Sequence, residues 1–258
     1  MSLQKIALSA LSIAAVACIG LVPAHADDAA APLTKAQVEQ MIHDYIAANP
    51  KLIMDSVNDY QKKEMEEHAT VGMKKNEGSL SKDTTSPEAG DPHGDVTVVE
   101  FFDYNCHFCK GAFPAVQGLL DKDKKVRVVF KEFPILGPSS ETASKWALAA
   151  QKQGKYFEFH KAMMNNKEQI NDDLLAKVAG SVGMDVKKAQ TDINLPEIAA
   201  QLGKNRALAA DLDINGTPAF IIGDDLSRGA IPEEVMEKKI NDAREAAAKT
   251  GGDAVKKE

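Results

Sequence analysis

The chain has 258 residues, with 38 acidic against 31 basic side chains, a formal net charge of −7 and three cysteines. No basic cluster offers itself to a polyanion, which sets nucleic acid aside as a partner. Three cysteines are too few for a disulfide framework, and the pair Cys106 and Cys109 would close a loop too short to constrain the unfolded chain.

At the start of the chain, Lys5, an apolar stretch from Ile6 to Val22, and Ala24 and Ala26 around His25 follow the three-part pattern of a secretory signal peptide. Cleavage is expected after Ala26. Two other readings stand beside it. A lipoprotein would acylate Cys18, although Ala15 stands where a larger aliphatic is usual, and a retained membrane anchor would have an apolar core at the short limit for a span. Removal of residues 1–26 takes away Lys5 and no acid, and it leaves Cys106 and Cys109 as the only sulfhydryls. Export implies a disulfide-permissive compartment, in a bacterium the periplasm.

Residues 27–75 read as helical. Val38, Met41, Ile42, Tyr45 and Ile46 recur at helical spacing, as do Ile53, Val57 and Tyr60 after a break at Asn49-Pro50, where Pro50 opens a second helix. Residues 76–93, rich in Gly, Ser, Thr and Pro, read as a flexible linker. Two short amphipathic helices beyond such a linker need cover for their apolar stripe. A second copy of the chain can supply it, giving a homodimer or homotrimer, and so can the catalytic region.

Residues 94–250 form the catalytic region. A strand from Val96 delivers Cys106 and Cys109 to a helix start; that helix, interrupted by Pro114, runs to about Leu120, and Val126 to Phe130 form a second strand. Strand, helix, strand predicts a right-handed crossover. Helices follow over 142–153, 156–165, 172–182, 186–192 and 196–211, within an insertion at about 138–212. Then come a strand at 217–222, a turn at Gly223-Asp224-Asp225, a short strand at 226–229, a helix from Pro232 to about Lys249 and a polar tail over 251–258.

Two cysteines three positions apart at a helix N-terminus are the layout of a redox dithiol: unpaired N–H groups there favour a thiolate at Cys106, and Cys109 lies within reach of its sulfur. Zinc sites use the same pair, but no second ligand pair accompanies it, and haem attachment needs histidine where Lys110 stands. A two-coordinate Cu(I) site is the chemical alternative. His107 either steadies the Cys106 thiolate or is an exposed loop residue, and Phe108 packs or meets substrate. Glu100, inside an apolar strand, is either an edge residue or a proton acceptor near Cys109 with a raised pKa. Thr217-Pro218 opens a strand after a glycine turn, where a cis peptide would leave backbone groups free to pair with an extended substrate.

Residues 100–110 (Glu-Phe-Phe-Asp-Tyr-Asn-Cys-His-Phe-Cys-Lys), then Phe130-Lys131-Glu132-Phe133-Pro134 and Gly216-Thr217-Pro218-Ala219-Phe220, resemble the DsbA-like thiol:disulfide oxidoreductases. The resemblance implies an α/β architecture: a thioredoxin fold with an inserted helical domain, Cys106 as nucleophile, Cys109 as resolving cysteine and Pro218 as the facing cis-proline. It also implies a buried Glu100–Lys131 pair that moves protons at Cys109, and no cofactor beyond the Cys106–Cys109 disulfide. The family's best-known oxidases carry proline then histidine between the cysteines, where this chain has His107 then Phe108, and Thr217 before the proline looks more like the disulfide isomerases. The N-terminal helices, with Ile46-Ala47-Ala48-Asn49-Pro50, resemble the oligomerisation segment of ScsC-like members. The expectation is therefore a periplasmic disulfide isomerase acting on cysteine-containing exported proteins with a membrane redox partner. A dithiol oxidase is the alternative within the class, and a Cu(I) carrier the alternative outside it.

Overall fold

The computed structural model describes residues 32–255, and side chains as far as residue 249. The expected signal peptide over 1–26, its cleavage point and Cys18 lie outside the described residues. The chain divides into two units, Met1–Asp55 and Ser56–Glu258.

In the first unit, helix α1 (Lys35–Ala48) starts on a capping box, in which Thr34 and Gln37 satisfy each other's backbone N–H groups, and stops at Asn49. Pro50 then opens helix α2 (Pro50–Lys75) at a position that needs no N–H donor. None of the α1 residues is buried, and Met41, Ile42, Tyr45 and Ile46 are all exposed.

The second unit is built on a mixed sheet of five strands in the order β1-β3-β2-β4-β5. Their ranges are β1 (Glu88–Gly90), β2 (Val96–Phe102), β3 (Val126–Glu132), β4 (Ala219–Ile222) and β5 (Asp225–Arg228). Strands β2 and β3 pair in parallel, joined by helix α3 (His107–Lys122), and the other pairings are antiparallel. Central strands covered on both faces need apolar side chains on both, as the run from Val96 to Phe102 supplies. Val98, Phe102, Val128 and Phe130 face α3 and the helical insertion, whereas Val99, Phe101, Val129 and Phe133 face the other way, against Met73, Leu80, Leu208 and Leu212. The insertion comprises α4 (Pro138–Lys152), α5 (Tyr156–Asn165), α6 (Asp172–Ser181), α7 (Val186–Asp192) and α8 (Pro196–Asp211). Helix α9 (Glu233–Val255) closes the unit and carries helical structure into the expected polar tail. Pro114 lies inside α3 without ending it. Among the described residues no helix is long and apolar enough to cross a membrane.

Residues 76–93 are not a flexible linker. Leu80, Asp83 and Ser86 are buried, and residues 88–90 pair with β3 as an extra strand. The reason is charge. Arg127 and Lys131 of β3 are buried on the second face of the sheet and draw this segment over themselves. Arg127 Nε donates to Glu88 Oε2 at 2.6 Å and its Nη1 to the Ser81 carbonyl at 2.9 Å, while Lys131 Nζ bonds the Asp83 carboxylate and Ser86 Oγ. The division between units therefore falls within α2 at residues 55 and 56 rather than at residue 76.

Candidate active site

Strand β2 ends at Phe102, and Asp103 anchors the loop beyond it. Its buried carboxylate accepts the N–H groups of Asn105 (2.7 Å), Ile135 (2.8 Å) and Leu136 (2.9 Å) and the hydroxyl of Ser140 (2.7 Å). This ties the cysteine-bearing loop to the start of α4. Nothing in the sequence singled out Asp103, although an acid between an apolar strand and a helix start is a side chain suited to collecting free N–H groups.

Cys106 is the N-cap of α3, and its Sγ accepts the Cys109 N–H at 3.3 Å. The Cys106 thiol in turn donates to the Thr217 carbonyl at 3.2 Å, across the cis Thr217–Pro218 bond from the buried Pro218 ring. One sulfur thus faces a helix N–H on one side and a backbone carbonyl in the proline loop on the other. Cys109 is fully buried on the first turn of α3; burial, with the neighbouring Cys106 and the charge of Glu100, pushes its thiol well up from the ordinary range. Both are free thiols. His107 and Phe108 are exposed beside the dithiol, their ring centroids 6.0 Å apart. Among the described residues no group of three or more His, Cys, Asp or Glu side chains is gathered as a metal site.

Glu100 and Lys131 do not pair. Side chains alternate across a strand; Glu100 lies on the face of Val98 and Phe102, whereas Lys131 lies on that of Val129 and Phe133. Lys131 bonds Asp83 instead. Beside Glu100 stands a second buried acid, Glu132. Tyr156 donates to Glu132 Oε1 at 2.8 Å, and the Tyr104 hydroxyl lies 3.2 Å from both Glu132 Oε1 and His160 Nδ1. Glu100 Oε2 and Glu132 Oε2 have no hydrogen-bond partner among the described residues. Burial, reinforced by the Glu132 charge, pushes the Glu100 carboxyl up to about 8, and burial pushes that of Glu132 up to about 8. Burial pushes the His160 imidazole down to about 3.

These shifts give a signed expectation. The folded chain retains carboxyl protons that the unfolded chain has released above about 4.5, so stability should fall as pH rises from there through about 8. His160 acts in the opposite sense, but only below its ordinary value of 6.5. Urea unfolding at pH 6.5 and pH 8 isolates the carboxyls. The Glu100→Gln chain should lose less stability between the two than the unaltered chain, and an equal loss would mean that Glu100 holds no proton over that range.

Residues 97–241 match the family model described as DSBA-like thioredoxin domain, and residues 35–67 match that described as Copper resistance protein ScsC N-terminal domain. A thioredoxin-like oxidoreductase from Silicibacter pomeroyi DSS-3 is 43% identical, over 65% of this chain and 97% of that one, with a TM-score of 0.64. ScsC of Proteus mirabilis, in a crystal structure of a transitional conformation, is 25% identical over 82% of this chain and 98% of that one, with a TM-score of 0.62. Among curated proteins, the Na(+)/H(+) antiporter NhaA 3 of Salinispora tropica is 28% identical over 151 residues, 57% of this chain. The chain spans only 23% of that protein's length, and similarly little of the other NhaA antiporters that it matches. With more than half of its length under one family model, and its dithiol and proline loop within that match, the chain belongs to the DSBA-like thioredoxin domain family.

Proposed function

We propose that the protein is a periplasmic thiol:disulfide oxidoreductase that works as a disulfide isomerase on exported, cysteine-containing proteins. The observation that carries this reading is the setting of Cys106 Sγ between the Cys109 N–H and the Thr217 carbonyl. The N–H can hold negative charge on the sulfur while exchange proceeds, and the proline loop offers backbone to a substrate chain lying across it.

In the reduced state the Cys106 thiolate attacks one sulfur of a misplaced substrate disulfide. A Cys106–substrate disulfide forms, and the other substrate sulfur leaves as a thiolate. If a different substrate thiolate then attacks the mixed disulfide, Cys106 is released as a thiolate and the substrate has rearranged without net oxidation. If Cys109 attacks instead, the substrate leaves reduced and Cys106–Cys109 closes into a disulfide, which a reducing membrane partner must reopen. Cys109 has to give up its proton for this second route. Glu100, whose charge bears on the Cys109 thiol, is the group to take that proton in its ionised form, and Glu132 adjoins it. His107 and Phe108 border the sulfur on its open side, where substrate arrives.

Isomerase work is favoured by several sites around one cleft, and the N-terminal helices are the means. Ile42 and Ile46, four residues apart on α1, are 54% and 45% exposed, and Met41, Tyr45, Ile53 and Met54 are exposed with them. Exposed apolar side chains clustered in this way along α1 and the start of α2 suit association. The leader-like residues 1–26 support the periplasmic setting.

The test is refolding of a scrambled-disulfide protein with solution mass measured in parallel. The unaltered chain should be a dimer or trimer that restores native pairing. An Ile42→Glu/Ile46→Glu chain should be a monomer that still oxidises or reduces dithiols but unscrambles at least about tenfold more slowly, the loss expected when sites no longer act at high effective concentration. Equal unscrambling by a monomeric variant would show that isomerisation does not need association, and an unaltered chain that is a monomer and only oxidises or reduces would be a plain dithiol oxidase or reductase.

A further inference from the structure

Beyond Thr217 and Pro218 lies a groove of about 510 Å³, bordered by Asp213, Asn215, Arg228 and, from a distant part of the chain, Met65 of α2. Met65 is half-exposed, and its flexible thioether is suited to apolar partners of varied shape. Three contacts hold this part of α2 against the end of α8 and the loop after it. His68 Nδ1 lies 2.6 Å from Asp213 Oδ2, Lys75 Nζ lies 3.0 Å from Asp211 Oδ2, and Asn76 Nδ2 donates to the same oxygen at 3.3 Å. Gly72 permits the approach: a Cβ there would stand 2.7 Å from the Asp211 carbonyl oxygen and 3.0 Å from Leu212 Cδ2.

We propose that α2 forms one wall of the substrate groove, and that Met65 there selects substrate segments carrying an apolar side chain next to the reacting cysteine. This rests on the oxidoreductase reading and names the chemistry of its substrate. The occupant is an extended segment of an unfolded protein, because the groove runs on from the Thr217 carbonyl that meets the Cys106 thiol. A cysteine joined to Cys106 Sγ therefore sends its neighbours along this groove. Met65 offers such a segment apolar surface, while Asn215 and Arg228 offer its backbone polar partners. Gly72 and His68 are positioning residues that act through α2.

The experiment follows oxidation of peptide dithiols by the full chain in its disulfide form. Each peptide gives two electrons and two protons as its own disulfide closes, and Cys106–Cys109 is reduced. Two peptides differ only in having leucine or aspartate beside the first cysteine, and dithiothreitol serves as the small dithiol. The unaltered chain should favour the leucine peptide about tenfold, the low end of what an apolar pocket discriminates. In Met65→Ala the leucine-to-aspartate ratio should fall to about twofold, Met65→Leu should restore it, and Gly72→Ala, which lifts α2, should lower it as Met65→Ala does. A Met65→Ala chain that keeps the full ratio overturns the proposal. A Met65→Ala chain that changes solution mass without changing the ratio does so too, by giving the groove to a second copy. If dithiothreitol and both peptides react at one rate with no preference, the groove reading fails alone; if none of them is oxidised, the oxidoreductase reading fails and carries this one with it.

Discussion

Cys106→Ser is expected to bring exchange down to the uncatalysed background, whatever the substrate. A hydroxyl oxygen in the place of Sγ keeps the N-cap geometry but cannot form the sulfur–sulfur bond through which every route passes. Cys109→Ser should act differently. The mixed disulfide at Cys106 still forms, but the buried partner that would resolve it intramolecularly is gone, so the covalent complex should accumulate and be visible by mass after an acid quench. Sustained turnover by Cys106→Ser would remove Cys106 as the nucleophile, and labelling of that variant by a disulfide substrate would pass that role to Cys109.

Asp83→Ala is expected to be the most damaging change away from the sulfurs. It strips the partner from Lys131, which is 1% exposed and bonded to Asp83 and Ser86. A buried ammonium left alone is destabilising by about 3 kcal/mol or more. Burial by itself would raise the Asp83 carboxyl, but the Lys131 ammonium, with hydrogen bonds from Ser86 and Thr85, holds it well below the usual carboxylate range. Its contribution is therefore complete above about 3.8 and is lost as pH falls through the lower folded value. Urea unfolding at pH 7 measures the effect. An Asp83→Leu/Lys131→Met chain, with the charge gone from both sides, should recover more than half of the loss. A neutral Asp83→Ala would mean that residues 76–93 are not anchored by this pair.

The same pair explains why residues 76–93 read as a linker. Glycine, serine, threonine and proline there correctly signalled the absence of a long helix, but composition does not say whether a turn-rich segment is tethered. The clue lay elsewhere, in Arg127 and Lys131 within the otherwise apolar run from Val126 to Phe133: two cations on one strand face need partners from some other segment. The expected Glu100–Lys131 pair came from resemblance alone, and strand parity forbids it, since the two residues lie on opposite faces. By contrast, the helices at 156–165, 186–192 and 196–211 were legible to the residue because turn signals and periodicity agreed at both ends. The cysteines and the Thr217-Pro218 loop were legible because their chemistry is carried by short local motifs. Asp103, Glu132, His160 and Met65 were not, because each gains its meaning from a partner far along the chain.

The three-residue strand β1 has a consequence for solubility. A bare sheet edge captures extended backbone of other chains indiscriminately. Along β3 that edge is filled by residues 88–90, after which Gly90, at φ 86°, turns the chain away. The opposite edge, β5, is only four residues long and carries Asp225 and Arg228 at its ends. The sheet thus ends in a three-residue strand at one side and a short strand with charged ends at the other, so neither edge offers another chain a long ladder of free N–H and C=O groups.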